Sequence, residues 1–139
     1  MTLLGFDYGT QKIGVAVGQT ITHTARPLDT VAVHRSIPAW NHLDKLMAEW
    51  HPDGLVVGLP LSCQGDETPM CDEARRFGQT LERRYHLPVY WIDESLTTKE
   101  ALVALRADGA SQEKQERARH QVAAQLILET FLHQEDLRA

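Results

Sequence analysis

Apolar residues at the start of the chain come in short runs broken by turn formers. Residues 2 to 7 (TLLGFD) form an apolar run closed by an acid. The turn-prone Tyr8-Gly9-Thr10 follows, then a second run from Ile13 to Val17 with glycines at 14 and 18. Two such runs about a short turn predict a β-hairpin. A third strand is expected from Ala25 to Val33, where Pro27 suits an edge or a strand start and TVAV is β-branched. The pattern then changes period. A helix is expected from about Pro38 to Trp50, a strand over GLVVGL (54–59), a helix from about Pro69 to Tyr85 and a strand over PVYWID (88–93). In the second helix, Ala74, Phe77, Leu81 and Tyr85 share one face, as in a helix lying on a sheet. Thr97 or Thr98 caps a further helix ending near Ala107 before Asp108-Gly109, and a last helix covers about Gln112 to His133.

Three meandering strands followed by alternating strands and helices imply an α/β fold. The expected sheet is mixed and five-stranded, antiparallel over strands one to three and parallel thereafter, with flanking helices. The chain shows no repeat, low-complexity tract or linker, and its longest irregular stretch is about Ser62 to Pro69, so residues 1–139 read as a single domain.

Composition adds limits. With 42% hydrophobic and 24% charged residues the chain has enough apolar material for a core. No run approaches the roughly 18 apolar residues of a membrane helix, and the opening lacks a signal-peptide pattern; no membrane association and a cytoplasmic location are expected. Cys63 and Cys71 have no CxxC spacing and are expected to be reduced thiols without a structural role. The net charge of −5 argues against broad electrostatic binding of nucleic acid. Local clustering offsets this, because Arg75, Arg76, Arg83 and Arg84 recur at offsets that place them along one side of a helix.

The acids carry the candidate chemistry. In an open α/β sheet, ligands bind beyond the carboxyl ends of parallel strands, and both Asp7 and the pair Asp93-Glu94 stand where an apolar strand ends. Were the first strand and the 88–93 strand neighbours, their carboxylates would converge and a divalent cation would relieve the repulsion. Oxygen donors without a Cys or His cluster favour Mg²⁺ or Mn²⁺, and paired ions about 3.5–4 Å apart can stabilise phosphodiester cleavage. An acid can equally cap the turn that follows it; that reading stays open for Asp7 and is preferred for Asp93. On the last helix, positions 120, 123, 124, 127 and 131 follow helical spacing, so His120 continues the sheet-facing stripe and could ligate a metal, act as a base or be structural. Gly9, Gly14 and Gly18 suit either close backbone approach or unusual dihedrals, and Gly9, Thr10 and Lys12 could receive a phosphate. Arg75 and Arg76 are further candidates for substrate contact.

Taken together, Asp7-Tyr8-Gly9-Thr10, Gly14 to Gly18, Gly58-Leu59-Pro60-Leu61 with Gly65, Asp93-Glu94 with Thr97-Thr98 and Ala101, and Ala123-Ala124 with Ile127-Leu128 resemble the YqgF (RuvX) family over nearly the whole chain. The resemblance implies an RNase H-like fold and a nuclease that matures the 5′ end of pre-16S rRNA, with RNA as partner and the ribosome as its setting. It also implies that Asp7 and Glu94 are the first two acidic ligands and that His120 stands where the family has a third acid, an Asp. Ser95 replaces the Arg that usually follows the Asp-Glu pair, and Ser62 replaces an Asn after Gly-Leu-Pro-Leu. Two other readings remain at this point: a resolvase of four-way DNA junctions using the same metal site, and a non-catalytic RNA- or ribosome-binding module. A sugar-kinase-type ATPase shares the DxGT turn, but the chain is too short for the paired domains that close around ATP.

Overall fold

The computed structural model of the chain describes residues 1–59, 69–93 and 112–138, with side chains of the last helix described from 119 to 134. Its elements are β1 (Thr2–Tyr8), β2 (Lys12–Gln19), β3 (Thr24–His34), β4 (Ile37–Pro38), α1 (Trp40–Trp50), β5 (Gly54–Leu59), α2 (Pro69–Tyr85), β6 (Val89–Asp93) and α3 (Gln112–Arg138). The helix expected over 97–107 falls outside the described residues. Among the described residues no helix is long and apolar enough to cross a membrane.

The sheet runs β4-β3-β2-β1-β5-β6. Strands β1 to β4 pair antiparallel, while β1–β5 and β5–β6 are parallel. This is the expected mixed α/β sheet with one strand more than the five expected. The addition, β4, is two residues long, too short for any alternation to show. It folds back through Arg35 and Ser36, both at positive φ (50° and 64°), which is the dihedral pattern of a two-residue hairpin turn. Pro27 lies within β3 beside a register shift between Val15 and Ala16. Such an irregularity accommodates a residue with no N–H for the ladder.

Strand alternation sorts side chains onto two faces. Leu4, Phe6, Ile13, Val15, Val31, Leu55 and Val57 point to the layer of α1 and α2, where they meet Leu43, Leu46, Ala74, Phe77 and Leu81. Phe77 packs edge-on against Phe6, with ring centroids 5.6 Å apart. Leu3, Ala16, Val56 and Ile92 point the other way, onto Ala124, Ile127, Leu128, Phe131 and Leu132 of α3. GLVVGL is apolar at every position because β5 lies inside the sheet with both faces covered. The edge strand β6 instead exposes Tyr90 and Trp91 by more than a third.

Glycines let α3 lie unusually close to the sheet. A Cβ at Gly5 or Gly18 would stand 2.9 Å from Leu128 side-chain atoms, and one at Gly14 would collide with the His120 carbonyl. Close helix approach, rather than unusual dihedrals, therefore explains Gly14 and Gly18. Cys71, buried at the start of α2, is disulfide-bonded, which corrects the expectation of a reduced thiol. Spacing alone could not show it, since a cross-link depends on backbone proximity that sequence separation does not encode.

Candidate active site

Asp7 is the penultimate residue of β1 and its alternation places it on the α3 side. α3 delivers His120 to the same point, with Nδ1 3.3 Å from Oδ2 of Asp7. The Asp7 side chain keeps 15% of its surface exposed and His120 31%, so the pair is recessed but open to solvent. The close passage of α3 over Gly14 fixes the imidazole here, because the peptide of His120 itself lies on that glycine. Gly9 is pinned between the Lys12 carbonyl, 2.6 Å from where a Cβ would be, and His120 Cε1, 3.3 Å away. A side chain at position 9 would push into the imidazole.

The parallel partner of Asp7 is Gly58 on β5. No side chain from that position covers the carboxylate. Two sequence expectations separate here. β1 and the 88–93 strand are not neighbours, because the wholly apolar β5 takes the place between them and sends β6 to the edge. Two strand spacings, roughly 10 Å, therefore separate Asp7 from β6. Asp93 pairs with Leu59, one position beyond the Asp7–Gly58 level, and its alternation gives it the α2 face, opposite to Asp7. Asp93 does not converge with Asp7. Glu94 lies outside the described residues.

The candidate substrate contacts divide between the faces. Thr10 is exposed in the turn after Asp7, and Lys12 opens β2 with the same parity as Gly14, on the Asp7 side. Arg75 and Arg76 belong to α2, on the other side of the sheet. Arg76 borders a cavity with Tyr8, Ser36, Trp40, Glu73 and Phe77. Tyr8 donates to Glu73 at 3.2 Å and Ser36 to the other Glu73 oxygen at 3.0 Å. Burial and the adjacent Glu73 charge push the Tyr8 phenol up to about 12, so it remains a neutral donor. Sequence reading passed over this cavity. The available signal was Tyr8 itself, a polar-tipped aromatic whose parity had to be opposite to that of Asp7.

Among the described residues no group of three or more His, Cys, Asp or Glu side chains could hold a metal ion; Asp7 and His120 form a pair. A carboxylate oxygen and an imidazole nitrogen, side by side and open to solvent, fit two positions in the coordination of a hard-to-intermediate divalent ion.

A mixed sheet of this order, with an aspartate at the end of its first strand met by a side chain from the closing helix, defines an RNase H-like fold. Solved structures show the same fold. RuvC of Thermus thermophilus in complex with a Holliday junction substrate is similar with a TM-score of 0.61 and 16% identity, covering 100% of this chain and 98% of that one. The fowlpox virus Holliday junction resolvase gives 0.54 at 10% identity, covering 99% of each.

The chain belongs to the RuvX family, whose model, described as "RuvX: Holliday junction resolvase", matches residues 1–134. Relatives from Nitrosococcus oceani and Pseudomonas aeruginosa are each 45% identical over 130 residues, covering 94% of this chain and 85% and 90% of theirs. One from Aeromonas hydrophila is 43% identical over 134 residues, covering 96% of both chains. All three carry the name "Putative pre-16S rRNA nuclease". The family resemblance read from the motifs is confirmed, and with it a phosphodiester-cleaving nuclease as the class of enzyme.

Proposed function

We propose that this nuclease cleaves RNA in the 5′ leader of pre-16S ribosomal RNA in the bacterial cytoplasm, at a divalent-metal site built on Asp7. The carrying observation is the Asp7–His120 contact, 3.3 Å across the carboxyl end of β1 and formed by residues 113 positions apart. The relatives' name supplies the substrate; the site supplies the chemistry.

In this reading Asp7, His120 and Glu94 hold Mg²⁺ or Mn²⁺. Glu94 is assigned on its motif alone. When bound, the ion stabilises charge on the attacking and leaving oxygens of the phosphodiester. Asp7 has a second task, accepting from or orienting Nδ1 of His120 and so fixing which ring nitrogen faces the substrate. Gly9 and Thr10 border the strand end where the scissile phosphate lies, and Lys12 offers it a cation from the same face of the sheet.

The test is a cleavage assay with and without Mg²⁺ or Mn²⁺, offering a pre-16S 5′ leader, unstructured RNA and a four-way DNA junction. Metal-dependent cutting of the leader is expected, falling by orders of magnitude in Asp7→Asn and Glu94→Gln, since each removes a ligand from a shared ion. Preferred cutting of the junction would replace the RNA reading with the resolvase one. RNA binding without cleavage under any metal would leave a binding module.

A further inference from the structure

We propose that the cavity on the far side of β1, bounded by Tyr8, Ser36, Trp40, Glu73, Arg76 and Phe77, is a subsite for an unpaired guanine base of the RNA next to the cleaved linkage. The proposal rests on the nuclease reading for its substrate.

Position is the first argument. Asp7 and Tyr8 are consecutive, one on each face of the same strand end, so their Cα atoms lie about 3.8 Å apart. A nucleic-acid strand with a phosphate at Asp7 needs only to turn over the end of β1 for a neighbouring base to enter the cavity. This also gives Arg76 a use. On α2 it cannot reach the Asp7 face, yet it stands at the rim of the cavity, nearly one turn beyond Glu73, where a flanking phosphate would pass.

Shape is the second. The space measures about 210 Å³, and among its described lining residues Tyr8, Trp40 and Phe77 are aromatic while Ile37 and Pro38 add aliphatic surface. Phe77 stacks at a tilt against Tyr8 at 5.3 Å and Trp40 at 6.0 Å, with interplanar angles of 38° and 32°. Flat apolar walls of this kind accept a base edge-in or by stacking, the usual way proteins hold unpaired RNA bases.

Polarity is the third, and it selects the base. Glu73 is the acid on the cavity wall. Its two oxygens are aligned by separate donors, the Tyr8 hydroxyl on Oε2 and the Ser36 hydroxyl on Oε1. Each carboxylate oxygen accepts more than one hydrogen bond. A carboxylate fixed in this way matches two adjacent N–H groups on one edge. Guanine offers such a pair, N1–H and N2–H. Adenine and cytosine offer a single amino group beside an acceptor, and uracil flanks its one N–H with two carbonyls that would face the carboxylate. The hairpin turn at Arg35–Ser36 is what brings the second donor to the acid, so β4 acts as a strap that sets the orientation of Glu73.

Two measurements test this. In the first, 15N-labelled wild-type protein is titrated with guanosine 5′-monophosphate and, separately, with uridine 5′-monophosphate. The Trp40 indole signal is expected to shift with the guanine nucleotide alone; no shift, or equal shifts with both, overturns the proposal without any variant having to fold. In the second, single-turnover cleavage is measured on leader RNAs carrying G or U at positions flanking the cut. Wild type should favour G at one flanking position by about tenfold or more, the scale of a bidentate base contact. Glu73→Gln should abolish that preference through the half-saturating enzyme concentration while the maximal single-turnover rate stays within a few-fold, and Ser36→Ala should weaken it. A preference that survives Glu73→Gln overturns the base site while leaving the nuclease reading intact. A guanine-specific Trp40 shift in a protein that cleaves nothing keeps the base site and defeats the nuclease reading.

Discussion

Gly14 and Asp44 show how single positions carry the site and the frame. Gly14 matters for what it lacks, since the His120 peptide occupies the space of its side chain. Gly14→Ala must therefore lift α3 or shift β2. A cost of about 1–3 kcal/mol is expected, the range for overpacking, with cleavage falling further than stability because the imidazole moves away from Asp7. Thermal melting beside single-turnover rates checks both. Asp44 ties the two helices of the other layer, accepting two hydrogen bonds from Arg84 and one from Tyr85 at 2.7 Å. Those donors, Arg84 first, hold its carboxyl down at about 2, below the ordinary 3.8. A lowered carboxylate stabilises the fold above its ordinary value and loses that contribution as pH falls through the folded value. The melting temperature of wild type should thus drop more steeply than that of Asp44→Asn between pH 4 and 2, and parallel curves would show that the tie contributes nothing. At this scale the sequence displayed Asp7 and His120 through strand-end position and helical spacing. It hid the use of Gly14, because a glycine reads alike whether it bends a turn or admits a helix.

Among the elements, α3 connects fold to chemistry. Ala124, Ile127, Leu128, Phe131 and Leu132 seal one face of the sheet, and the same helix carries His120 at its described beginning. Leu128 seats on Gly5 and Gly18. Leu128→Ala should cost about 2–5 kcal/mol in urea unfolding, as for other large-to-small core changes. At permissive temperature, activity should survive better than in Gly14→Ala, because the peptide of His120 keeps its seat. Strands and helices long enough for several periods were legible in the sequence: α2 has the bounds the pattern predicted, and β5 and β6 fall within a residue of theirs. What stayed illegible was non-local. The insertion of β5 between β1 and β6 depends on which strand is apolar on both sides, and the two-residue β4 has no period to read.

For the molecule as a whole, an acidic chain of net charge −5 that takes RNA in the proposed way would do so through a few locally placed cations. Lys12 on one side of the β1 end and Arg76 on the other would give a salt slope near −1.4 for two phosphates, at about 0.7 each for single strands. Arg76→Gln should flatten the slope by about 0.7, read from RNA affinity over a salt series; an unchanged slope removes Arg76 from the path. Composition argued only against broad nucleic-acid binding, since net charge says nothing of where a few cations stand. The pairing of Asp7 with His120 has one more consequence. The two residues are 113 positions apart, so a chain still emerging from the ribosome carries the carboxylate long before the imidazole exists. If both residues hold the ion as proposed, the site is incomplete throughout synthesis and is assembled only when α3 has docked on the sheet.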